Sequence, residues 1–210
     1  QIWGKGFIME TITFCPKVFC IDHLDVGDEY FNDIKNAVKK LDYNKADFED
    51  DRSSLVNPDF QILDKPQFRP LGDMLLKSFT TFTKEHLKIS NDFKVASSWV
   101  TKTETNQRSR FHRHYNCYYS GVFYIDADEG CEIMFENMTD ERFLLNKIED
   151  CDYNSKSFIF KTENKMIIFF PSDMHHKIAE NKTNKDRYSL ALNFYPIGHI
   201  GVRDSNVNLT

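Results

Sequence analysis

The sequence has 210 residues, a length that suits one ordinary domain with a single buried core, so we expect one active or binding site. Its net charge of -5 argues against a dedicated nucleic-acid surface, because neutralising phosphates requires concentrated Lys and Arg. No stretch approaches the ~20 apolar residues that cross a membrane. The five cysteines lack Cys-x-x-Cys spacing, so they suggest no zinc ribbon and indicate reduced thiols in the cytoplasm.

The first part of the chain predicts one strand, two helices and a long loop. Residues 9–21 alternate apolar and β-branched side chains around Pro16, which indicates an edge strand. Residues 28–41 repeat apolar side chains at helical spacing, with acidic residues first and lysines last, as the helix dipole favours. Two prolines interrupt the polar segment 42–69, which indicates a loop, and residues 71–87 repeat the helical pattern.

Short aromatic or β-branched runs separated by turns dominate the rest of the chain. They lie at residues 93–100, 118–125, 131–135, 157–160, 165–170 and 188–195. Short strands at this spacing are typical of a β sandwich or small barrel. Two helices in front of such a block would pack on one sheet, so the sequence predicts a single α+β domain that is mainly β. Its parts are an N-terminal strand with helices (1–90), a β core (91–197) and a C-terminal tail (198–210).

Histidines form the most distinctive pattern, in two groups that lie far apart in the sequence. His112 and His114 are two residues apart, so on a strand both would project to the same face. His175 and His176 follow a short turn after an aromatic strand that Pro171 ends, so one of them would lie at a sheet edge. Neutral imidazole is the commonest side-chain metal ligand, and three such ligands leave positions open on an iron for a co-substrate and oxygen. The same three ligands would also suit zinc.

Arg187 and Ser189 begin the strand that follows the second histidine group. A guanidinium presents a rigid fork for a carboxylate, and a hydroxyl two residues further along a strand faces the same way. A dicarboxylate that chelates iron at one end would need such a clamp at its other end. The pair therefore favours iron with a diacid co-substrate, although an ordinary strand-end salt bridge is the usual role of such an arginine.

Four segments together resemble the Fe(II)/2-oxoglutarate oxygenase superfamily, most closely a branch of small members, many of them phage-encoded. That branch carries, in order, His-x-His-x-Asn, Ser-Gly-Val-Tyr-Tyr, Phe-Pro-Ser with a His nearby, and Arg-x-Ser. The matching segments here are His112-Arg113-His114-Tyr115-Asn116, Ser120-Gly121-Val122-Phe123-Tyr124, Phe170-Pro171-Ser172 ahead of His176, and Arg187-Tyr188-Ser189. The resemblance implies a double-stranded β-helix of the jelly-roll or cupin type that uses Fe(II), 2-oxoglutarate and O2.

A more distant likeness to the aspartyl β-hydroxylases implies separate roles for these residues. It makes His112 the proximal metal ligand, His176 rather than His175 the distal one, and Arg187 the clamp for the far carboxylate of 2-oxoglutarate. These residues, with His114, form the expected catalytic set. Because His114 stands where most of the superfamily carries Asp or Glu, the metal would be left more positive.

The polar neighbours of this set are expected to complete the co-substrate site. Ser189 and Asn116 are the candidates, as both follow the family pattern. In another registration, His114 and Asn116 would together replace the usual His-x-carboxylate pair, although an amide is a weak ligand.

The resemblance implies hydroxylation of an unidentified substrate with release of succinate and CO2, in the cytoplasm of a cell or of a phage-infected host. A small molecule, a nucleotide or a protein side chain would each suit as substrate, and a homodimer is compatible with the sequence. Some superfamily members that lack the carboxylate ligand halogenate instead. Two other functions stay open: a three-histidine cupin-type metalloenzyme that does not use 2-oxoglutarate, and an inactive binding domain of the same fold.

Overall fold

Two antiparallel β-sheets face each other in the computed structural model, which describes residues 16–127, 132–137, 145–151 and 153–210. The strands of this part of the chain are β1 (Cys20–His23), β2 (Asn44–Lys45), β3 (Leu55–Val56), β4 (Asp92–Thr103), β5 (Tyr119–Asp126), β6 (Glu132–Glu136), β7 (Ser157–Lys161), β8 (Met166–Pro171), β9 (His175–Ile178), β10 (Arg187–Ile200) and β11 (Val207–Leu209). The larger sheet has the order β1-β8-β5-β10-β4-β3-β2, with β11 paired to β10, and the smaller sheet has the order β7-β6-β9.

Two helices cover the outer face of the larger sheet. They are α1 (Asp28–Val38) and α2 (Arg69–Thr81), which continues into a π-helical turn at Phe82–His86. Their buried residues are three or four positions apart, namely Phe31, Ile34 and Val38 in α1 and Leu71, Leu75 and Phe79 in α2. This spacing places each set on one side of its helix, so both helices bury an apolar stripe against the sheet.

The larger sheet separates two apolar clusters, because successive residues of a strand point to opposite faces. On β8, Ile167 and Phe169 pack with the helices, whereas Ile168 and Phe170 pack toward the smaller sheet. All four side chains are fully buried. This explains why β8 is a continuous apolar run rather than an alternating one.

The predicted mainly β, α+β fold with a double-stranded β-helix is confirmed, but the N-terminal elements differ in detail. Of the predicted strand 9–21, residues 9–15 lie outside the described residues, and within the described part β1 begins only at Cys20 and runs to His23. The predicted loop 42–69 contains β2 and β3, which extend the larger sheet beyond β4. Each has only two residues, too few to produce a recognisable alternation in the sequence.

The C-terminal half also departs from the prediction at two places. Residues 175–178 follow the predicted turn and form β9, a strand that the sequence did not predict, because they pair with β6 in the smaller sheet. β10 continues to Ile200, and the predicted tail contributes β11. None of the helices within the described ranges combines the length and apolar character needed to cross a membrane.

Candidate active site

Alternate residues of the central strands line a cavity between the two sheets. They are Trp99 and Thr101 of β4, Val122 and Tyr124 of β5, and Arg187, Ser189 and Ala191 of β10, and on the side of the smaller sheet Glu132, Ile133, His176 and Ile178 form part of the wall. His112 and His114 complete the wall at one end. The cavity therefore combines apolar surface with a few polar groups, as is usual for small-molecule sites.

Three histidines come together at this end of the cavity. One nitrogen from each of His112, His114 and His176 lies within 4.8 Å of the others, and the rings of His112 and His176 have centroids 4.3 Å apart. Among the described residues, this is the one group of at least three His, Cys, Asp or Glu side chains arranged to hold a metal ion.

The route by which these histidines converge differs from the predicted one. His112 and His114 do not share a strand, so the same-face argument was wrong. Instead, His112 forms an isolated antiparallel bridge with His176, in which each backbone N–H donates to the other residue's carbonyl at 3.0 and 2.9 Å. The backbone N–H of His114 donates to the carbonyl of Ser172 at 2.9 Å. Main-chain bonds to the β8–β9 connection thus bring the two histidine groups together.

Each imidazole has an oxygen beside its Nδ1 atom. The partners are the carbonyl of Arg110 for His112, at 3.0 Å, the carbonyl of Met174 for His176, at 3.0 Å, and the side-chain Oδ1 of Asn193 for His114, at 2.7 Å. Because these oxygens accept hydrogen bonds, Nδ1 carries the proton and Nε2 keeps a lone pair. All three rings are therefore held in the tautomer that binds a metal through Nε2.

The surroundings also keep these imidazoles neutral. Burial lowers the pKa of His112 and His114, and it lowers the pKa of His176 well below its usual value, where the neighbouring His112 adds to the effect. His176 is the most buried of the three, with 3% of its surface exposed. Since only a neutral imidazole can ligate a metal, the site is prepared for an ion near neutral pH.

Arg187 is buried in the same cavity without a full set of partners. Only 4% of its surface is exposed, and its Nη1 has no hydrogen-bond partner among the described residues. A buried guanidinium nitrogen without a hydrogen-bond partner costs free energy, so a ligand that carries a carboxylate would fit this position. Ser189 lies two residues further along β10 and lines the same cavity. The three imidazoles and the buried guanidinium fit Fe(II) and a diacid such as 2-oxoglutarate.

The structure places the remaining sequence candidates away from this cavity. Asn116 is exposed, is not part of the lining, and has a φ of 57°, a turn conformation that asparagine tolerates. His175 neighbours His176 on β9, where the alternation of a strand turns its side chain to the opposite face. The amide that reaches the histidines belongs to Asn193, which sequence reasoning missed. The sequence signal that could have found Asn193 is its spacing, because side chains two residues apart along β10, counted from Arg187, point to the same face.

Comparisons with known proteins agree with this geometry. Residues 97–193, which contain all three histidines and Arg187, match a family model described as "Putative 2OG-Fe(II) oxygenase". Among curated proteins, a sequence search finds no relative.

Solved structures share the fold at low sequence identity. An oxidoreductase of the 2OG-Fe(II) oxygenase family from Burkholderia pseudomallei has 11% identity and a TM-score of 0.62, over 84% of each chain. HygX from Streptomyces hygroscopicus, with nickel, 2-oxoglutarate and hygromycin B bound, has 12% identity and a TM-score of 0.60, over 86% of this chain and 83% of its own. A prolyl-4-hydroxylase from Pseudomonas putida has 11% identity and a TM-score of 0.59, over 85% and 92%.

The family match covers the strands that line the cavity, and the shared fold extends over most of the chain. The three histidines and the buried arginine of this cavity fit the metal and the co-substrate that the family's name implies. Residues 97–193 are therefore similar to the 2OG-Fe(II) oxygenase family, and most of the chain shares the fold of solved members of that family.

Proposed function

We propose that the protein is an Fe(II)- and 2-oxoglutarate-dependent hydroxylase that oxidises a C–H bond of a substrate and releases succinate and CO2. The observation that carries this proposal is the buried Arg187, whose Nη1 lacks a partner among the described residues, in one cavity with three convergent imidazoles. Either feature alone would suit several functions. Together they fit a small molecule that chelates the metal at one end and offers a carboxylate to Arg187 at the other.

The protein's own residues have distinct tasks in this proposal. His112, His114 and His176 hold the iron through Nε2, and Arg187 with Ser189 binds the far carboxylate of 2-oxoglutarate. The apolar parts of the wall exclude water around the reacting groups. Bound iron and 2-oxoglutarate supply the oxidising chemistry, and the protein supplies position and electrostatics.

The number of protein ligands favours hydroxylation over halogenation. With iron bound, His112, His114 and His176 would occupy three of its coordination positions, and the keto acid and oxygen would need the others. A halide would then find no open position, whereas a site that lacked His114 would have one to offer.

The first test is an anaerobic titration of the protein with Fe(II) and 2-oxoglutarate, followed by visible absorption. We expect a metal-to-ligand charge-transfer band that needs both components, because the keto acid must chelate the bound metal. Arg187→Met keeps the volume of the side chain but removes the guanidinium, so we expect a loss of 2-oxoglutarate affinity of about 10-fold to 100-fold. Fe(II) binding should be retained.

The matched control is Arg69→Met, which removes an exposed arginine at the start of α2 on the helix side of the molecule. It should leave the band and the 2-oxoglutarate affinity unchanged. If Arg187→Met retains full 2-oxoglutarate affinity, the three-histidine metalloenzyme without this co-substrate becomes the better interpretation. If the wild type binds metal but never forms succinate, an inactive binding domain of the same fold becomes the better interpretation.

A further inference from the structure

The side chain of Asn193 connects one of the histidines to both neighbouring strands. Its Oδ1 lies 2.7 Å from Nδ1 of His114 and accepts a hydrogen bond of 2.7 Å from the hydroxyl of Ser120. Its Nδ2 donates to the hydroxyl of Ser97 at 3.0 Å. Ser120 and Ser97 are the direct cross-strand partners of Asn193, on β5 and β4 respectively. Asn193 is therefore held from both sides in the middle of the larger sheet.

We propose that Asn193 is a positioning residue that fixes His114 as a neutral metal ligand and so lets an imidazole serve where a carboxylate usually stands. This inference rests on the proposed function, because it assumes that His114 ligates the iron. Asn193 touches neither metal nor substrate in this proposal. It acts only through the ring of His114.

The orientation of the amide decides which nitrogen of His114 can bind a metal. With Oδ1 toward the ring, Nδ1 must donate and Nε2 keeps its lone pair. With the amide reversed, Nδ2 would donate to Nδ1, the proton would move to Nε2, and the ligand would be lost. In the structure the amide has the productive orientation, in which Ser97 accepts from Nδ2 and Ser120 donates to Oδ1.

The serine on β5 is itself fixed. Ser120 is fully buried, and its hydroxyl oxygen lies 3.2 Å from that of Ser172, which is also buried. The backbone carbonyl of Ser172 accepts from the N–H of His114. His114 is thus held at two points of one hydrogen-bond network. Asn193 contacts its ring, and Ser172 accepts from its backbone N–H.

The choice of an amide rather than a carboxylate also has an electrical consequence. A carboxylate beside Nδ1 would draw the imidazole toward imidazolate character and make the metal centre less positive. The neutral amide fixes the ring without that charge. Asn193→Asp therefore keeps the acceptor but adds charge, while Asn193→Ala removes both the acceptor and the link to β4.

The test uses Co(II) alone with the metal-free protein, so it does not depend on 2-oxoglutarate or on turnover. We expect Asn193→Ala to weaken Co(II) binding by about 10-fold to 100-fold, the usual effect of removing such a hydrogen-bond partner. Asn193→Asp should restore binding to the wild-type value or tighten it. In Asn193→Asp loaded with Fe(II) and 2-oxoglutarate, the charge-transfer band should move to lower energy.

A double-mutant cycle with His114→Ala distinguishes the proposed positioning role of Asn193 from a purely structural one. If Asn193 acts through His114, then Asn193→Ala should change Co(II) affinity very little in the His114→Ala background. The matched control is Asn57→Ala, which removes another buried amide, hydrogen-bonded to the carbonyl of Asp42 away from the histidines. It should lower the stability and leave Co(II) affinity unchanged.

Two results would overturn the proposal: wild-type Co(II) affinity in Asn193→Ala, or an undiminished effect of that substitution when His114 is already absent. Should Asn193→Ala fail to fold, Ser97→Ala tests the same point by releasing Nδ2, and it should produce a smaller loss of Co(II) affinity. The proposed function fails separately, if the wild type binds Co(II) as expected but forms no Fe(II)–2-oxoglutarate band.

Discussion

The two faces of β10 carry different kinds of side chain, although one strand supplies both. On β10, Leu190, Leu192 and Phe194 are fully buried against the helices. The side chains of Arg187, Ser189 and Ala191 point to the other face and line the cavity, and Asn193 on that face contacts His114. Neighbouring residues of this strand thus have different roles, packing on the helices or lining the cavity, because successive side chains point to opposite faces.

The comparison suggests that the helix face determines stability and the cavity face determines ligand binding. The helix face is close-packed aromatic and aliphatic surface, which contributes free energy of folding. The cavity face contains a buried guanidinium whose Nη1 has no hydrogen-bond partner among the described residues, which costs free energy in the unliganded protein. Substitutions on the two faces should therefore separate these properties.

The largest expected effect is on the helix face, at Phe79 of α2. Its ring is fully buried and stacks on Phe194 with centroids 3.8 Å apart. Phe79→Ala should lower the free energy of unfolding by about 3–5 kcal/mol, because it removes a large buried side chain and leaves a cavity. Denaturant unfolding measures this. Co(II) affinity of the folded variant should stay at the wild-type value, and a loss of metal binding would contradict the separation of the faces.

The control for that prediction is Phe48→Ala, the same truncation at a side chain that is 81% exposed. It should change the free energy of unfolding by less than about 0.5 kcal/mol, as surface substitutions usually do. An equal loss in both variants would mean that the denatured state, not the packing of the helix face, sets the effect.

A smaller effect with the opposite sign is expected on the cavity face. In the absence of ligand, Arg187→Met should raise the free energy of unfolding by about 1–3 kcal/mol, since it replaces a buried cation lacking a full set of partners by an apolar side chain of similar size. Thermal and denaturant unfolding of the ligand-free protein measure the change. Destabilisation would show that Arg187 has a structural partner and would weaken its assignment as a co-substrate clamp.

The smallest expected effect is the pH dependence that His176 gives to the free energy of unfolding. Its pKa is lowered in the folded protein from a usual value of 6.5, so the unfolded chain takes up the proton first as the pH falls. This contribution to stability is complete above pH 6.5 and declines below it, with a limiting slope of about 1.4 kcal/mol per pH unit.

Unfolding of the metal-free protein at pH 7.5, 6.5 and 5.5 checks this prediction. In the His176→Ala variant, the decline between pH 6.5 and 5.5 should be shallower, because one titrating group has been removed. Identical slopes in the two proteins would contradict a lowered pKa of His176.

The sequence was sufficient for the fold class and for most strands, because long apolar runs and two-residue alternation are local signals. It was insufficient for β9, whose four residues include one aliphatic side chain and depend on pairing with β6, distant in the chain. It also misplaced His112 and His114 on a strand, since their convergence depends on main-chain bonds to another segment. The two-residue period of β10 places Asn193 on the same face as Arg187, but its contact with His114 depends on the folded chain.

The backbone bridge between His112 and His176 has a consequence for how the protein acquires its ion. Both imidazoles are anchored by the peptide groups of a finished sandwich, so the ligand cage is assembled by folding and not by the metal. The protein should therefore fold empty and load afterwards, unlike small zinc domains that collapse around their ion. Because a ready-made cage of imidazoles holds several divalent ions, the supply of metals at the time of loading will decide which one enters.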